Sequence, residues 1–325
     1  MSNKKIVITG AFGFIGSHLS EMLIKKGYDV IAFDRYNVDN NYGWLNNSKY
    51  KKNIEFILGD IRDYDSVNKL IKKSKVCFHL AALIGIPYSY VSPLAYIKTN
   101  LEGTYNVLEA SRNNNIEQVL ITSTSETYGT AQFTPINESH PINAQSPYSA
   151  SKAAADQLSI SYYKSFETPI KIVRPFNVYG PRQSTRAIIP TIINQALSNK
   201  KNIKLGNIKT KRDFTYVEDT CSGFLNIYKS KNFFGKSVNL GSNNNYLIKD
   251  ICSKILNKMN SKKKIKIESI RSRPLKSEVM NLVCDNTYLK KHSNWKLKNN
   301  INLGLDKTIN WYIDNKLLFK DIYHV

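Results

Sequence analysis

Cysteine is scarce in this chain of 325 residues, and its four cysteines lie far apart, at Cys77, Cys221, Cys252 and Cys284. They form no CxxC pair and have no nearby histidine, which argues against a disulfide framework and favours buried free thiols in a reducing cytoplasm. The five histidines also lack the spacing of metal ligands. We therefore expect no metal site.

Long apolar runs are missing as well. Residues 1–5 lead directly into a short strand, with no apolar signal core or cleavage site, and no uninterrupted apolar stretch is long enough to cross a bilayer. We therefore expect a cytoplasmic protein with no membrane partner. Because 42% of the residues are hydrophobic, the chain can bury a large core, as one large domain or two closely packed ones.

Acidic residues are few in the second half of the chain, which accounts for most of the net charge of +22. Residues 1–165 carry 17 basic and 14 acidic side chains, whereas residues 166–325 carry 30 and 11. Nucleic-acid binding is one explanation for such an excess. Because the lysines are dispersed among asparagines without a nucleic-acid motif, we favour solvated faces and expect no nucleic-acid partner. Part of the positive field can also assist a diphosphate substrate.

A glycine-rich turn follows the first strand. Lys5–Thr9 is apolar, glycines then recur with GxxGxxG spacing from Gly10 to Gly16, and an apolar helical stripe runs from Ser17 to Lys26. Glycines permit a tight turn and the close approach of a pyrophosphate, which lies at the helix N-terminus. The order of strand, glycine turn and helix therefore predicts a dinucleotide site.

An acidic residue closes the second strand. Asp34 follows the apolar run Tyr28–Phe33, where a carboxylate accepts hydrogen bonds from the adenosine ribose hydroxyls and repels a 2′-phosphate. The sequence therefore predicts NAD in preference to NADP. The neighbouring Arg35 weakens that preference.

Strand and helix patterns continue to alternate as far as Arg174. The remaining apolar strands and long helical patterns are Ile54–Leu58, Val76–Leu80, Val119–Thr122, Ile170–Val173, 93–113 and 148–166. This alternation predicts a Rossmann-type α/β fold, a doubly wound parallel sheet with ligands beyond the strand C-termini. Residues 37–53 are interpreted as a surface insertion. Beyond Arg174 the pattern loosens, which favours a smaller C-terminal α/β lobe.

Candidate catalytic side chains follow the strand that ends at Thr122. Thr124 and Glu126 bring a hydroxyl and a carboxylate to its C-terminal end, and Tyr148 and Lys152 lie four residues apart on a predicted helix. That spacing places both on one helix face. An ammonium beside a phenol lowers the pKa of the phenol and makes it a usable base.

Six motifs together resemble the nucleotide-sugar epimerase/dehydratase family of extended short-chain dehydrogenases/reductases. They are Thr9–Gly16, Gly59–Asp60, His79–Ala82, Tyr148 with Lys152, Arg174–Pro181, and Arg212–Asp219. The resemblance extends from Lys4 to near the C-terminus. Residues 122–130 and 147–186 are most similar to bacterial nucleotide-sugar 4,6-dehydratases of legionaminic and related nonulosonic acid pathways, which implies an NDP-GlcNAc type of substrate.

The resemblance implies a division of the chain into two lobes. Residues 1–175 would form the NAD-binding Rossmann domain, to which a segment of about 213–235 returns. Residues 176–325 would form the nucleotide-sugar-binding lobe. The helical stretches 93–113 and 148–166 resemble those with which relatives build a four-helix interface, so we expect a homodimer.

The same resemblance assigns roles to individual residues. The implied cofactor-binding residues are Gly10, Phe12, Gly13, Phe14, Ile15, Gly16, Asp34, Asp60, Ile61, Leu80, Ala81, Ala82, Asn100, Tyr148 and Lys152. The implied substrate-binding residues are Thr124, Glu126, Asn177, Arg182, Arg212 and Arg273. Guanidinium groups suit phosphate oxygens, although each arginine can instead serve a surface or interlobe ion pair.

The implied reaction uses Thr124, Ser125, Glu126, Tyr148 and Lys152 as catalytic residues. Tyr148 would take the sugar O4 proton while hydride leaves C4, and Glu126 would remove the C5 proton before water leaves C6. Many sugar dehydratases have aspartate where Ser125 stands, whereas GDP-mannose dehydratases also have serine. Glu126 would then act first as base and then as acid, or it would only cap a helix or pair with an arginine.

Other functions remain open. UDP-glucuronate decarboxylases share the Ser-Glu pair, and nucleotide-sugar 4-epimerases share the Tyr/Lys pair but usually lack the acid. A cofactor-dependent binding or regulatory protein of this fold is a third class, against which the intact Thr124, Tyr148 and Lys152 argue.

Overall fold

The protein, described here by a computed structural model over residues 4–318, is built from alternating strands and helices. Its strands are β1 Lys5–Thr9, β2 Asp29–Arg35, β3 Ile54–Gly59, β4 Val76–His79, β5 Gln118–Thr122, β6 Ile170–Pro175, β7 Asn177–Tyr179, β8 Asn202–Leu205, β9 Lys211–Arg212, β10 Phe214–Tyr216, β11 Ser237–Leu240, β12 Tyr246–Leu247, β13 Lys264–Ile267 and β14 Asn281–Leu282. Its α-helices are α1 Phe14–Lys25, α2 Tyr64–Lys72, α3 Ile86–Val91, α4 Pro93–Tyr96, α5 Gly103–Asn113, α6 Pro147–Phe166, α7 Ile188–Leu197, α8 Val217–Lys229, α9 Ile248–Lys258, α10 Thr287–His292 and α11 Ile301–Asp314.

A seven-stranded parallel sheet in the order β11-β6-β5-β4-β1-β2-β3 forms the centre of the molecule. The chain builds outward through β2 and β3, then returns to the other side of β1 and builds outward again through β4 to β6. The reversal between β1 and β4 creates a crevice beyond the strand C-termini, where ligands bind in such sheets. The predicted doubly wound Rossmann-type fold is confirmed.

Alternating residues of β1 serve two separate cores. Ile6 and Ile8 are buried with Leu19 of α1 and Phe224 of α8, whereas Val7 lies on the opposite face with Val107 of α5. Because successive strand side chains point to opposite faces, a strand covered on both sides must be apolar throughout. This requirement explains why the first-half strands are continuous apolar runs.

The chain leaves the large sheet after β6 and later returns to it. Strand β11 pairs in parallel with β6, and α8 packs against α1. Smaller sheets, β10-β7, β12-β9-β14 and β13-β8, lie in the second half. The division into lobes at residue 175 remains a proposal. Within residues 4–318, no helix is both long and apolar enough to span a bilayer.

The segment 37–53 is more than a surface insertion. Leu45 within it is fully buried, and the ring of Tyr42 stacks on Phe56 of β3 with centroids 4.1 Å apart. The Trp44 N–H also donates to the carbonyl oxygen of Phe12 in the glycine turn. Most of the segment lies at the surface, as expected of an insertion, but Leu45 and the Tyr42 ring pack against the domain. The many Asn and Lys residues around them hide this packing in the sequence.

Candidate active site

Helix α6 begins with a capping box. The Ser146 hydroxyl accepts the N–H of Ser149, and the Ser149 hydroxyl accepts the N–H of Ser146. Pro147 occupies the first turn. These contacts define the helix start one residue before Tyr148. Both Tyr148 and Lys152 are buried, one helical turn apart.

The phenol of Tyr148 hydrogen bonds with the Thr124 side chain. The sequence predicts a lowered pKa for this phenol, but the pKa of Tyr148 is raised. Burial raises the pKa of Tyr148, the Thr124 bond lowers it, and the charge of Glu126 raises it further. Burial also lowers the pKa of the Lys152 ammonium, to about 8.

Thr124 and Glu126 are positioned by a short 3₁₀ turn, Ser125–Tyr128, that directly follows β5. The Thr124 hydroxyl accepts the N–H of Glu126 at 3.2 Å, which caps the turn. Ser125 is buried inside it. The turn thus brings the predicted hydroxyl and carboxylate together at the C-terminal edge of the sheet.

A π-helical turn, Ile97–Glu102, interrupts the helical stretch that the sequence predicts as continuous. Its fully buried Asn100 accepts the N–H of Leu83 at 2.8 Å and donates to the Leu83 carbonyl and to the Ser151 hydroxyl, both at 3.0 Å. The extra residue in the turn allows the amide to face inward. Such π-turns are frequent at functional sites, and this one ties the loop after β4 to α6.

The glycine turn is shaped for the close approach of a ligand. A Cβ on Gly10, whose φ is +71°, would lie 2.7 Å from the Ala81 nitrogen, and one on Gly16 would lie 2.1 Å from the Gly10 carbonyl oxygen. A Cβ on Gly13 would meet no protein atom closer than 3.4 Å. Gly13 therefore leaves an open face at the N-terminus of α1, where a pyrophosphate fits.

Asp34 closes the other side of this turn. One carboxylate oxygen accepts the Phe12 N–H at 2.9 Å and the other accepts the Arg35 N–H at 2.8 Å. Burial raises the pKa of Asp34, and the two N–H bonds oppose that shift. Each oxygen retains acceptor capacity for ribose hydroxyls. The residues present fit an adenosine ribose at this position.

The predicted adenine contacts lie at the end of β3. Asp60 forms a salt bridge with Arg62 at 2.5 Å, which lowers the pKa of Asp60, and Ile61 is buried against Gly103. The Ile61 carbonyl accepts from Asn106 at 3.0 Å. The other predicted cofactor residues lie in the glycine turn and after β4, namely Phe14, Ile15, Leu80, Ala81 and Ala82.

Glu126 belongs to a cluster of four charged side chains. Arg273 Nη1 lies 3.4 and 3.3 Å from the two Glu126 oxygens, and Arg212 Nη2 lies 3.4 Å from Glu278. Burial lowers the pKa of Arg273, but Glu126 and Glu278 outweigh it and leave the pKa raised. For Arg212, burial dominates and lowers the pKa. The cluster brings the predicted base, Glu126, together with the predicted phosphate ligands, Arg212 and Arg273. It also contains Glu278, which no sequence motif indicated.

The two remaining predicted substrate residues differ in their surroundings. The Asn177 side-chain nitrogen is buried and has no hydrogen-bond partner, so it can donate to a ligand. Arg182 instead forms a 3.0 Å ion pair with Glu21 of α1. The structure therefore does not bring Arg182 to the cluster around Glu126, and its contact with the diphosphate stays a prediction.

Comparison with known proteins identifies the family. The model of the family described as GDP-mannose 4,6 dehydratase matches residues 7–308. A dTDP-D-glucose 4,6-dehydratase of Dictyostelium discoideum is 35% identical over 78% of this chain, which spans 62% of that relative's length. A putative UDP-glucose 4-epimerase of Methanocaldococcus jannaschii is 32% identical over 95% of this chain and 99% of its own.

Solved structures agree with these relatives. The crystal structure of a dTDP-glucose 4,6-dehydratase from Bacillus anthracis in complex with NAD superimposes with a TM-score of 0.86, at 26% identity, over 97% of this chain and 98% of that one. This NAD complex supports the predicted cofactor, for which the glycine turn and Asp34 are suited. The chain therefore belongs to the GDP-mannose 4,6 dehydratase family, which comprises NAD-dependent nucleotide-sugar 4,6-dehydratases and epimerases.

Proposed function

We propose that the protein is an NAD-dependent nucleotide-sugar 4,6-dehydratase, a hydro-lyase that forms a 4-keto-6-deoxy sugar nucleotide. The observation that carries this proposal is the 3₁₀ turn after β5. It holds Glu126 two residues from Thr124, whose side chain bonds to the Tyr148 phenol. An oxidation at C4 needs only Tyr148, Lys152 and Thr124. A carboxylate beside them supplies the additional proton transfer that an elimination requires.

NAD is the proposed cofactor, held by the glycine turn at its pyrophosphate and by Asp34 at its adenosine ribose. When bound, NAD would supply redox chemistry, as the acceptor and later the donor of one hydride, without net consumption. Lys152 binds the nicotinamide ribose, and Asn100 supports the active-site helix through Ser151. The residues to which we assign these roles all lie near the C-terminal edge of the sheet.

The protein side chains move the protons. Tyr148 takes the O4 proton as hydride leaves C4, and Thr124 donates a hydrogen bond to the same oxygen. The resulting C4 ketone acidifies the C5 hydrogen, which Glu126 removes. Because Ser125 has no acidic proton to give at neutral pH, Glu126 also protonates the C6 hydroxyl, which leaves as water. When hydride then adds to C6, a proton taken up from solvent adds to C5 and completes the product.

We propose that the substrate is a nucleoside-diphosphate hexose, of the NDP-GlcNAc type used in legionaminic and related nonulosonic acid pathways. The likeness of residues 122–130 and 147–186 to dehydratases of those pathways supports this choice. Arg212 and Arg273 offer two guanidinium groups for the diphosphate, and the orphan Asn177 amide offers a neutral donor. The base of the nucleotide is left to experiment.

The proposal is tested by incubating the protein with UDP-, GDP-, CDP- and dTDP-sugars, with and without a 2-acetamido group, and measuring mass by spectrometry. We expect one of them to lose water. Repeating the reaction in deuterium oxide must place solvent deuterium at C5, because elimination passes through a C5 carbanion. Turnover without loss of water, or dehydrated product without deuterium at C5, would contradict the proposal.

A 4-epimerase is the second candidate, because the Methanocaldococcus relative matches over nearly the whole length of both chains. A 4-epimerase uses the same Tyr148 and Lys152 but leaves C5 untouched. It would therefore interconvert C4 epimers with no mass change and no deuterium at C5. A UDP-glucuronate decarboxylase would instead release carbon dioxide from a uronic acid. Adding UDP-glucuronate to the sugars tested, and resolving C4 epimers by chromatography before mass spectrometry, separates all three reactions.

A further inference from the structure

A buried carboxylate lies one helical turn beyond Lys152. Tyr148, Lys152 and Asp156 follow one another at four-residue intervals on α6, so they share one face of the helix. Asp156 is 1% exposed and Lys152 is 3% exposed. Charges act more strongly on one another in such a water-poor interior than at the surface.

The two oxygens of Asp156 have different surroundings. Oδ2 accepts the Ser123 hydroxyl at 2.7 Å and two N–H groups of Arg174, from Nε at 3.0 Å and Nη2 at 2.9 Å. Oδ1 is buried and has no hydrogen-bond partner. The carboxylate is thus anchored through one oxygen, while the other retains its negative potential toward its surroundings.

Other charged groups near the active site do not replace this carboxylate. Arg174 on β6 is held by Oδ2 of Asp156 and, through Nη1, donates to the Tyr128 hydroxyl at 3.0 Å. His79 on β4 is buried and its pKa is lowered to about 3, first by burial and then by Lys152, so it is neutral. Asp156 raises the pKa of Lys152, in opposition to burial, which lowers it.

We propose that Asp156 is a positioning residue that keeps Lys152 protonated over the working pH range. It acts through Lys152 and touches neither substrate nor cofactor. A protonated Lys152 both donates to the nicotinamide ribose and stabilises the Tyr148 phenolate. The inference rests on the proposed roles of Lys152 and Tyr148, and it extends them by naming the group that sets the charge of Lys152.

The test measures NAD affinity against pH by fluorescence titration of the full chain, stripped of nucleotide. In the wild type we expect affinity to fall as Lys152 loses its proton, and Lys152→Met should abolish that fall. In Asp156→Asn the midpoint should move to lower pH by at least about one unit. Ser123→Ala removes a hydrogen bond to the same oxygen but keeps the carboxylate, so its midpoint should stay in place.

The variant Asp156→Asn leaves the buried Arg174 charge unpaired, which threatens folding. The double variant Asp156→Asn/Arg174→Gln removes both charges, and its midpoint should move in the same direction by a smaller amount. Equal midpoints in the wild type and both Asp156 variants would overturn the inference, as would an unchanged fall in Lys152→Met. Because the titration needs no sugar, it stays decisive even if no nucleotide sugar is dehydrated and the proposed function fails.

Discussion

At the residue scale, Glu126 decides which reaction the site performs. We expect Glu126→Gln to bind substrate and reduce NAD at C4, but to form dehydrated product about 10²–10⁴-fold more slowly, because the amide keeps the shape and cannot take a proton. Stopped-flow absorbance of NADH measures the oxidation at C4, and mass spectrometry of the product measures the loss of water.

The exposed Glu117 offers a matched control for that experiment. It pairs with Lys4 on the protein surface, so Glu117→Gln should retain the wild-type rates of both C4 oxidation and dehydration. Dehydration by Glu126→Gln at the wild-type rate would remove Glu126 from the mechanism and leave it as a partner of Arg273.

The Asp34 carboxylate determines the choice of dinucleotide. We expect NAD to co-purify or to bind much more tightly than NADP, because the half-buried carboxylate repels a 2′-phosphate and accepts from the ribose hydroxyls. Asp34→Asn should narrow the difference, since the amide removes the repulsion. Fluorescence titration that gave equal or tighter binding of NADP to the wild type would contradict this prediction.

At the scale of the elements, the sequence predicts those strands and helices whose apolar pattern follows directly from burial. Strands β1, β4 and β5 consist mostly of buried apolar residues, so they appear as short hydrophobic runs. The π-turn within the helical stretch 93–113 cannot be recognised in the sequence. Asn100 faces inward there because it bonds with Leu83 and Ser151. A tertiary partner causes that π-turn, and periodicity carries no information about the partner.

The candidate site divides in the same way. Thr124, Tyr148 and Lys152 lie at strand ends and helix spacings, which local patterns reveal, and the same four-residue spacing would have found Asp156. Arg273 and Glu278 come from an irregular segment, and the charges that they meet are what position them. Arg182, which motif context assigned to the diphosphate, pairs with Glu21 of α1, and its contact with the diphosphate stays a prediction.

Helix α1 is joined to the turn after β7 by His18, whose Nε2 lies 3.1 Å from the Pro181 carbonyl oxygen. Burial, and then Arg182, lower the pKa of His18 to about 4, below the unfolded value of 6.5. Its contribution to stability is therefore complete above pH 6.5 and is lost as pH falls toward 4. We expect the unfolding free energy to fall by up to about 1.4 kcal/mol per pH unit in that window from this group.

Urea unfolding at several pH values from 7.5 to 4 measures this dependence. The variant His18→Gln keeps an N–H donor for Pro181 but does not titrate, so its unfolding free energy should fall less steeply over the same range. Parallel curves for the wild type and His18→Gln would show that the pKa of His18 is the same in the folded and the unfolded protein, which would contradict the prediction.

At the scale of the whole molecule, helices α4 to α6 and the π-turn present apolar side chains to solvent. Leu94, Ile97, Tyr105 and Phe166 are all exposed in the single chain. Such a patch indicates a protein interface, and we expect a homodimer formed by these helices. Sedimentation velocity at micromolar concentration should give a dimer for the wild type and a monomer for Ile97→Asp. A monomeric wild type would refute the prediction.

Strand β11 comes from residues 237–240, so a growing polypeptide cannot complete its central sheet until that segment has emerged from the ribosome. Until then β6, whose six residues are all buried in the finished protein, has a free edge on the side opposite β5. A free apolar edge recruits strands from other chains. Premature termination between residues 176 and 236 should therefore release fragments that depend on chaperones and aggregate, even though they contain the whole nucleotide-binding turn.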